Sequence, residues 1–166
     1  MSTPFGTRRV AVAGATGSIG RQTLDVIERH RDRLACVALT AGGDLEGLVA
    51  LAHTVRPAVV ALERAADPTV ARAALGSAAP GAEVLVGPGS SARAVASSGA
   101  DLVVNGVVGA AGLAVSLAAL AARARLALAN KESLVVGGPL VRGYLAKGGE
   151  LLPVDSEHSA ALQCLQ

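Results

Sequence analysis

Gly14-Ala15-Thr16-Gly17-Ser18-Ile19-Gly20 is the stretch on which the fold turns. It follows an apolar run, Arg8 to Ala13, that reads as a strand, and it leads into helical spacing from Ser18 to His30. The glycines therefore mark a strand-to-helix corner. Gly14 permits a tight turn, Gly17 lets the backbone approach a ligand without a Cβ in the way, and Gly20 lets the helix pack close to its strand. A helix N-terminus adds unpaired N–H groups and a dipole that favour an anion such as a pyrophosphate. Thr16 and Ser18 contribute hydroxyl groups. The spacing G-x-x-G-x-x-G is one residue longer at the front than the usual dinucleotide fingerprint. No Lys-Ser or Lys-Thr follows, so a P-loop is a poor match.

The same alternation continues on the C-terminal side. Strand-like runs are expected at Leu34–Thr40, Ala58–Leu62, Glu83–Val86, Asp101–Val104, Arg125–Ala129 and Glu150–Val154. Helices are expected between them, with Asp44 and Asp67-Pro68 as start signals and the sixth helix at Gly138–Lys147. Parallel strands need crossovers and helices supply them. The expected fold is α/β: a Rossmann-like, doubly wound, mainly parallel sheet of about seven strands with helices on both faces.

Composition agrees. Of 166 residues, 51% are hydrophobic and 17% charged, enough for a packed core. Aromatic residues make up 1%, so Ala, Val, Leu and Ile must build that core. A net charge of +2, without a basic block, argues against nucleic-acid binding. No uninterrupted apolar stretch reaches membrane-span length, and no signal peptide is evident. Val103–Leu120 comes nearest and reads better as a strand, a turn and a buried helix. Cys36 and Cys164 read as buried free thiols of a cytoplasmic protein.

The tip of the second strand reports on the cofactor. It reads Thr40-Ala41-Gly42-Gly43-Asp44, with no carboxylate at the tip to bind a ribose 2′-hydroxyl, which favours NADP over NAD. Asp44 is expected to be occupied as a helix cap. Two polar clusters follow later strands: Asn130-Lys131-Glu132-Ser133 and Asp155-Ser156-Glu157-His158. Both stand at carboxyl ends of parallel strands, where open α/β sheets bind ligands. In extended backbone, Asp155 and Glu157 would share one face and suit Mg²⁺ or Mn²⁺. Lys131, one of two lysines, could hold an anionic substrate. Equally, the first cluster could be a capped helix start and the second a solvated turn.

GATGSIG at 14–20, LANKESLV at 128–135 and PVDSEHSA at 153–160 together resemble 1-deoxy-D-xylulose 5-phosphate reductoisomerase, from about Arg8 to Gln166. The resemblance implies NADPH and a divalent metal, Mg²⁺ or Mn²⁺. It implies conversion of a phosphorylated sugar, 1-deoxy-D-xylulose 5-phosphate, to 2-C-methyl-D-erythritol 4-phosphate in the non-mevalonate route to isoprenoids. By the same resemblance Thr16, Gly17, Ser18, Ile19, Gly42, Asn130 and Glu132 contact NADPH. Lys131, Ser156 and Glu157 bind substrate, with Lys131 and Glu157 catalytic, and Asp155 and Glu157 ligate the metal. Family members are homodimers, and many carry Gly-Lys-Asn where this chain has Gly42-Gly43-Asp44. Family enzymes are also longer. Residues 1–150 are therefore expected to form the NADPH-binding domain and 151–166 the start of a catalytic domain, in a fragment inactive by itself. A truncated, non-catalytic nucleotide-binding module is the alternative, and another Rossmann reductase a third reading.

Overall fold

Along β1 (Arg8–Ala13), Val10 and Val12 face one side of the strand while Ala11 and Ala13 face the other, and all four are buried. A strand apolar on both faces must lie between two helical layers, and the computed structural model shows that arrangement. It describes residues 6–129 and 131–164, with the side chains of Glu157 and His158 outside the description. After β1 the elements are α1 (Ser18–Arg29), β2 (Leu34–Ala41), α2 (Leu45–Val55), β3 (Val59–Leu62), α3 (Pro68–Ala78), β4 (Glu83–Val86) and α4 (Ser90–Ser97). The second half adds β5 (Leu102–Asn105), α5 (Gly112–Ala121), β6 (Arg125–Leu128), α6 (Glu132–Leu145), β7 (Leu151–Pro153) and α7 (Ser156–Cys164).

The strands form one sheet in the order β4-β3-β2-β1-β5-β6-β7, and every pairing is parallel. The chain winds outward from β1 to β4, returns to the other side of β1 and winds outward again. The order reverses between β1 and β5. Helices α1, α2 and α3 pack on the face bearing Val10, Leu39 and Leu62. Helices α4, α5 and α6 cover the face bearing Ala11, Ala61 and Leu126. Leu39, Leu48, Leu62, Leu75 and Leu126 are fully buried, each contributing about 1.5–3 kcal/mol relative to exposure. Asp44 accepts from the Gly47 N–H at 2.9 Å, and Asp67 accepts from those of Thr69 and Val70, so both expected caps form.

Two local expectations fail. Helix α6 begins at Glu132, not Gly138. Gly137 looks like punctuation but lies inside the helix, where a Cβ would overlap the methyl groups of Leu113 on α5. Its missing side chain serves a close helix crossing, not a turn. Pro139 also lies inside α6 and removes one donor to the Val135 carbonyl, on a face where Val135 is 83% exposed to solvent. The second failure is at Asp155. The Ser159 N–H donates to the Asp155 carbonyl at 3.0 Å, and the helix α7 starts at Ser156. Glu157 therefore has helical backbone, and the extended run expected through Asp155 and Glu157 ends where the helix begins.

The sheet runs through the boundary drawn at residue 150, since β7 pairs with β6. Cys164 is exposed instead of buried, while burial pushes the Cys36 thiol up to about 12. Among the described residues no helix is long and apolar enough to cross a membrane.

Candidate functional site

The corner between β1 and α1 is shaped by what its glycines lack. Gly14 has φ +76°, a conformation that side chains disfavour. A Cβ there would stand 2.9 Å from the Gly106 carbonyl oxygen, just after β5. A Cβ on Gly20 would overlap the Gly14 carbonyl and the Ala15 backbone. The helix is thus drawn against its own strand, as the glycine spacing suggested. Gly17 is the N-cap of α1, with extended backbone and no side-chain cap bond, so the first N–H groups of the helix lack a side-chain acceptor. Arg21, in the first turn of α1, donates from Nε to the Thr16 carbonyl at 3.0 Å and braces the loop.

This corner opens onto a cleft between the carboxyl ends of β1 and β5, where the strand order reverses. Gly17, Ser18 and Ile19 line one wall; Gly106, Val107 and Val108 line another. Ala129, Lys131, Glu132 and Asp155 close it from the tips of β6 and β7. Both polar clusters that stood out in the sequence therefore reach the glycine loop. Lys131 and Glu132 begin α6 and also line the cleft. Thr16 sits in the same loop. Ser156 and Glu157 open α7 directly after Asp155, and the Glu157 side chain lies outside the described residues, as does Asn130.

A second cleft continues from the first, with Val107 on the border of both. It lies over the tips of β2 and β3 and is lined by Gly42, Glu63, Arg64, Gly89 and Ser91, with Ala110, Ala111 and Ala114 opposite. Gly42 thus stands apart from the other candidate residues, in this neighbouring cleft. Glu63 accepts from the N–H groups of Gly89 (2.5 Å) and Ser91 (3.0 Å) and caps α4 from across the sheet. Partial burial pushes its carboxyl up, but the hydrogen bonds from Ser91, Gly89 and Ser90 outweigh that and hold it below the usual range.

The sequence reading missed what shapes the floor between the clefts. Asn105, fully buried at the end of β5, donates to the Gly112 carbonyl (2.8 Å) and the Ser116 hydroxyl (2.9 Å), and accepts from the Val107 N–H. The Ser116 hydroxyl in turn donates to that of Ser133 on α6 (3.4 Å). This network ties the 106–111 loop to α5 and α6. A single buried asparagine within an apolar run was its only signal. Glu63 and Arg64 gave no signal beyond following a strand.

A trough along the strand tips, floored by a glycine corner, is the shape a dinucleotide requires, and known proteins support that reading. The family model for 1-deoxy-D-xylulose 5-phosphate reductoisomerase matches residues 10–138. A reductoisomerase of that name from Ralstonia nicotianae is 45% identical over 158 residues, covering 95% of this chain and 40% of that protein. The Zymomonas mobilis reductoisomerase solved with NADPH superposes with a TM-score of 0.85 at 40% identity, over 96% of this chain and 41% of that one. A second reductoisomerase structure, with NADPH, fosmidomycin and magnesium, gives 0.83 at 39% identity, over 95% of this chain and 38% of that one. The chain spans about two-fifths of the length of the curated relatives it matches. Its match to the family model runs from the core of β1 into the middle of α6, and the chain belongs to the 1-deoxy-D-xylulose 5-phosphate reductoisomerase family.

Proposed function

We propose that this chain forms the NADPH site, and part of the metal and substrate site, of an enzyme that converts 1-deoxy-D-xylulose 5-phosphate to 2-C-methyl-D-erythritol 4-phosphate. The observation that carries the reading is the cleft at the strand-order reversal, where the glycine corner, Lys131, Glu132 and Asp155 meet. Its geometry fits the cofactor: side chains are missing at Gly14 and Gly20, where a Cβ would meet backbone, and the α1 N-terminus opens beside them. Asp155 is a hard oxygen donor of the kind that Mg²⁺ and Mn²⁺ take, and it lies in the same cleft. Relatives solved with NADPH and with magnesium support both assignments.

When bound, NADPH supplies hydride and the divalent cation supplies a Lewis acid for a substrate carbonyl. The residues of the chain do the rest. Gly17, Ser18 and Ile19, with Thr16 beside them, hold the pyrophosphate at the start of α1. Glu132 and Asn130 contact the cofactor as well. Lys131 and Ser156 bind the anionic sugar phosphate, and Asp155 and Glu157 hold the cation. Gly42 lies under the adenosine end. The family resemblance further implies a cytoplasmic homodimer.

A chimera tests this reading. Residues 8–164 of this chain replace the corresponding part of the Zymomonas mobilis relative, and NADPH oxidation dependent on 1-deoxy-D-xylulose 5-phosphate is followed with Mg²⁺ present. Turnover is expected, with a drop of at least about 100-fold for Asp155→Asn, since one metal ligand is lost. A folded chimera that binds NADPH without turnover would reduce the chain to a nucleotide-binding module.

A further inference from the structure

We propose that Arg64 binds the adenosine 2′-phosphate of NADPH and thereby selects NADPH over NADH. The inference rests on the cofactor reading above and adds the residue that sets its specificity. In a doubly wound sheet the adenosine ribose lies at the tip of the second strand, where a carboxylate selects NAD and a nearby arginine accommodates the extra phosphate of NADP. In this chain the tip of β2 is Gly42-Gly43-Asp44, and it carries no cation of its own. The cation comes from the neighbouring strand. The Arg64 N–H donates to the Gly42 carbonyl at 2.8 Å, which extends the β2–β3 pairing past both strand ends and fixes the Arg64 backbone beside that tip.

The side chain then lies over the two glycines. A Cβ on Gly42 would stand 3.2 Å from Arg64 Nη2, and one on Gly43 would stand 3.7 Å from the same nitrogen. Gly42 thus leaves the room that the guanidinium occupies, and Arg64 lines the cleft together with Gly42. The nearby carboxylates are engaged elsewhere. Asp44 Oδ1 accepts from the Gly47 N–H as the cap of α2, and Glu63 accepts from Gly89, Ser90 and Ser91 at the start of α4. Neither forms an ion pair with Arg64 among the described residues. The planar guanidinium, exposed at the cleft, can offer paired N–H donors to a dianionic phosphate.

The test compares the chain with its Arg64→Ala, Arg64→Lys and Arg64→Glu variants, titrated with NADPH, NADH, 2′,5′-ADP and 5′-AMP. Arg29→Ala, at the far end of α1, serves as a charge control, and circular dichroism confirms that each variant is folded. The parent chain is expected to prefer 2′,5′-ADP to 5′-AMP and NADPH to NADH. Arg64→Ala should weaken NADPH and 2′,5′-ADP at least tenfold and leave NADH and 5′-AMP within twofold, on the order of one lost charge-assisted phosphate contact. Arg64→Lys should recover part of the loss, and Arg64→Glu should reverse the preference. If the parent prefers NADPH and folded Arg64→Ala keeps that preference, the Arg64 assignment is overturned and the cofactor reading stands. If the parent binds neither NADPH nor 2′,5′-ADP, both are overturned.

Discussion

At Gly20 a single methyl group decides whether α1 can lie against its own strand. A Cβ there would meet the Gly14 carbonyl and the Ala15 backbone, neither of which can rotate aside. Gly20→Ala is expected to cost about 1–3 kcal/mol by overpacking, read as a lower urea midpoint, and to weaken NADPH binding by displacing the α1 N-terminus. Asn105 sets a comparable constraint by chemistry instead of volume. Asn105→Leu removes the amide that donates to the buried Gly112 carbonyl and Ser116 hydroxyl, and a loss of about 3 kcal/mol is expected in equilibrium unfolding, at about 1–3 kcal/mol per buried polar group that loses a bond. Glu63 adds a pH signature. Its carboxyl is held below the usual range when folded, so its contribution is present above the unfolded value of about 4.3 and fades as pH falls through the lower folded value. Glu63→Gln should cost about 1 kcal/mol near pH 7, after allowance for its exposure, and the gap from the parent should close in acid. An equal gap at pH 7 and pH 3 would contradict the capping role.

At the scale of elements, legibility followed the strength of the local signal. The glycine corner was readable because three glycines at fixed spacing have few uses between a strand and a helix. The strands were readable because short valine, leucine and alanine runs are broken by glycine, proline or polar residues. Helix α6 was misplaced because Gly137-Gly138-Pro139 has the composition of a break, while the reason for Gly137 lies on another helix. Gly137→Ala would press a methyl group into Leu113. The expected cost is about 1–3 kcal/mol, or roughly 2–12 °C in Tm for a domain of this size. Leu113→Ala in the same chain should return part of that loss, the coupling that contacting residues show. Simple additivity of the two changes would count against a close α5–α6 crossing at this point. The Asp155–Glu157 pair was misread in its backbone: Asp155 stands just before the helix, as Asp44 and Asp67 do, but the extended run of β7 was carried past it. Arg64 was illegible because its meaning depends on β3 lying beside β2, a relation across the sheet.

Over the whole molecule, function follows from strand order. Winding outward from β1 in both directions leaves one place where the strand tips part. The glycine corner, the Asn105-braced loop and the polar ends of β6 and β7 converge there. The sheet itself is built from ordinary apolar residues that many sequences could supply; the few residues that break its apolar pattern hold the site. The most direct measurement is a fluorescence titration of NADPH against this chain and its Gly14→Val variant, each shown to be folded by circular dichroism. Gly14 has φ +76° and faces the Gly106 carbonyl across the opening. Saturable binding by the parent is predicted, weakened at least tenfold in the variant because the strained, crowded corner no longer presents the α1 N-terminus. No saturable binding by the parent, or equal binding by a folded Gly14→Val variant, would contradict the assignment of the cofactor to this cleft.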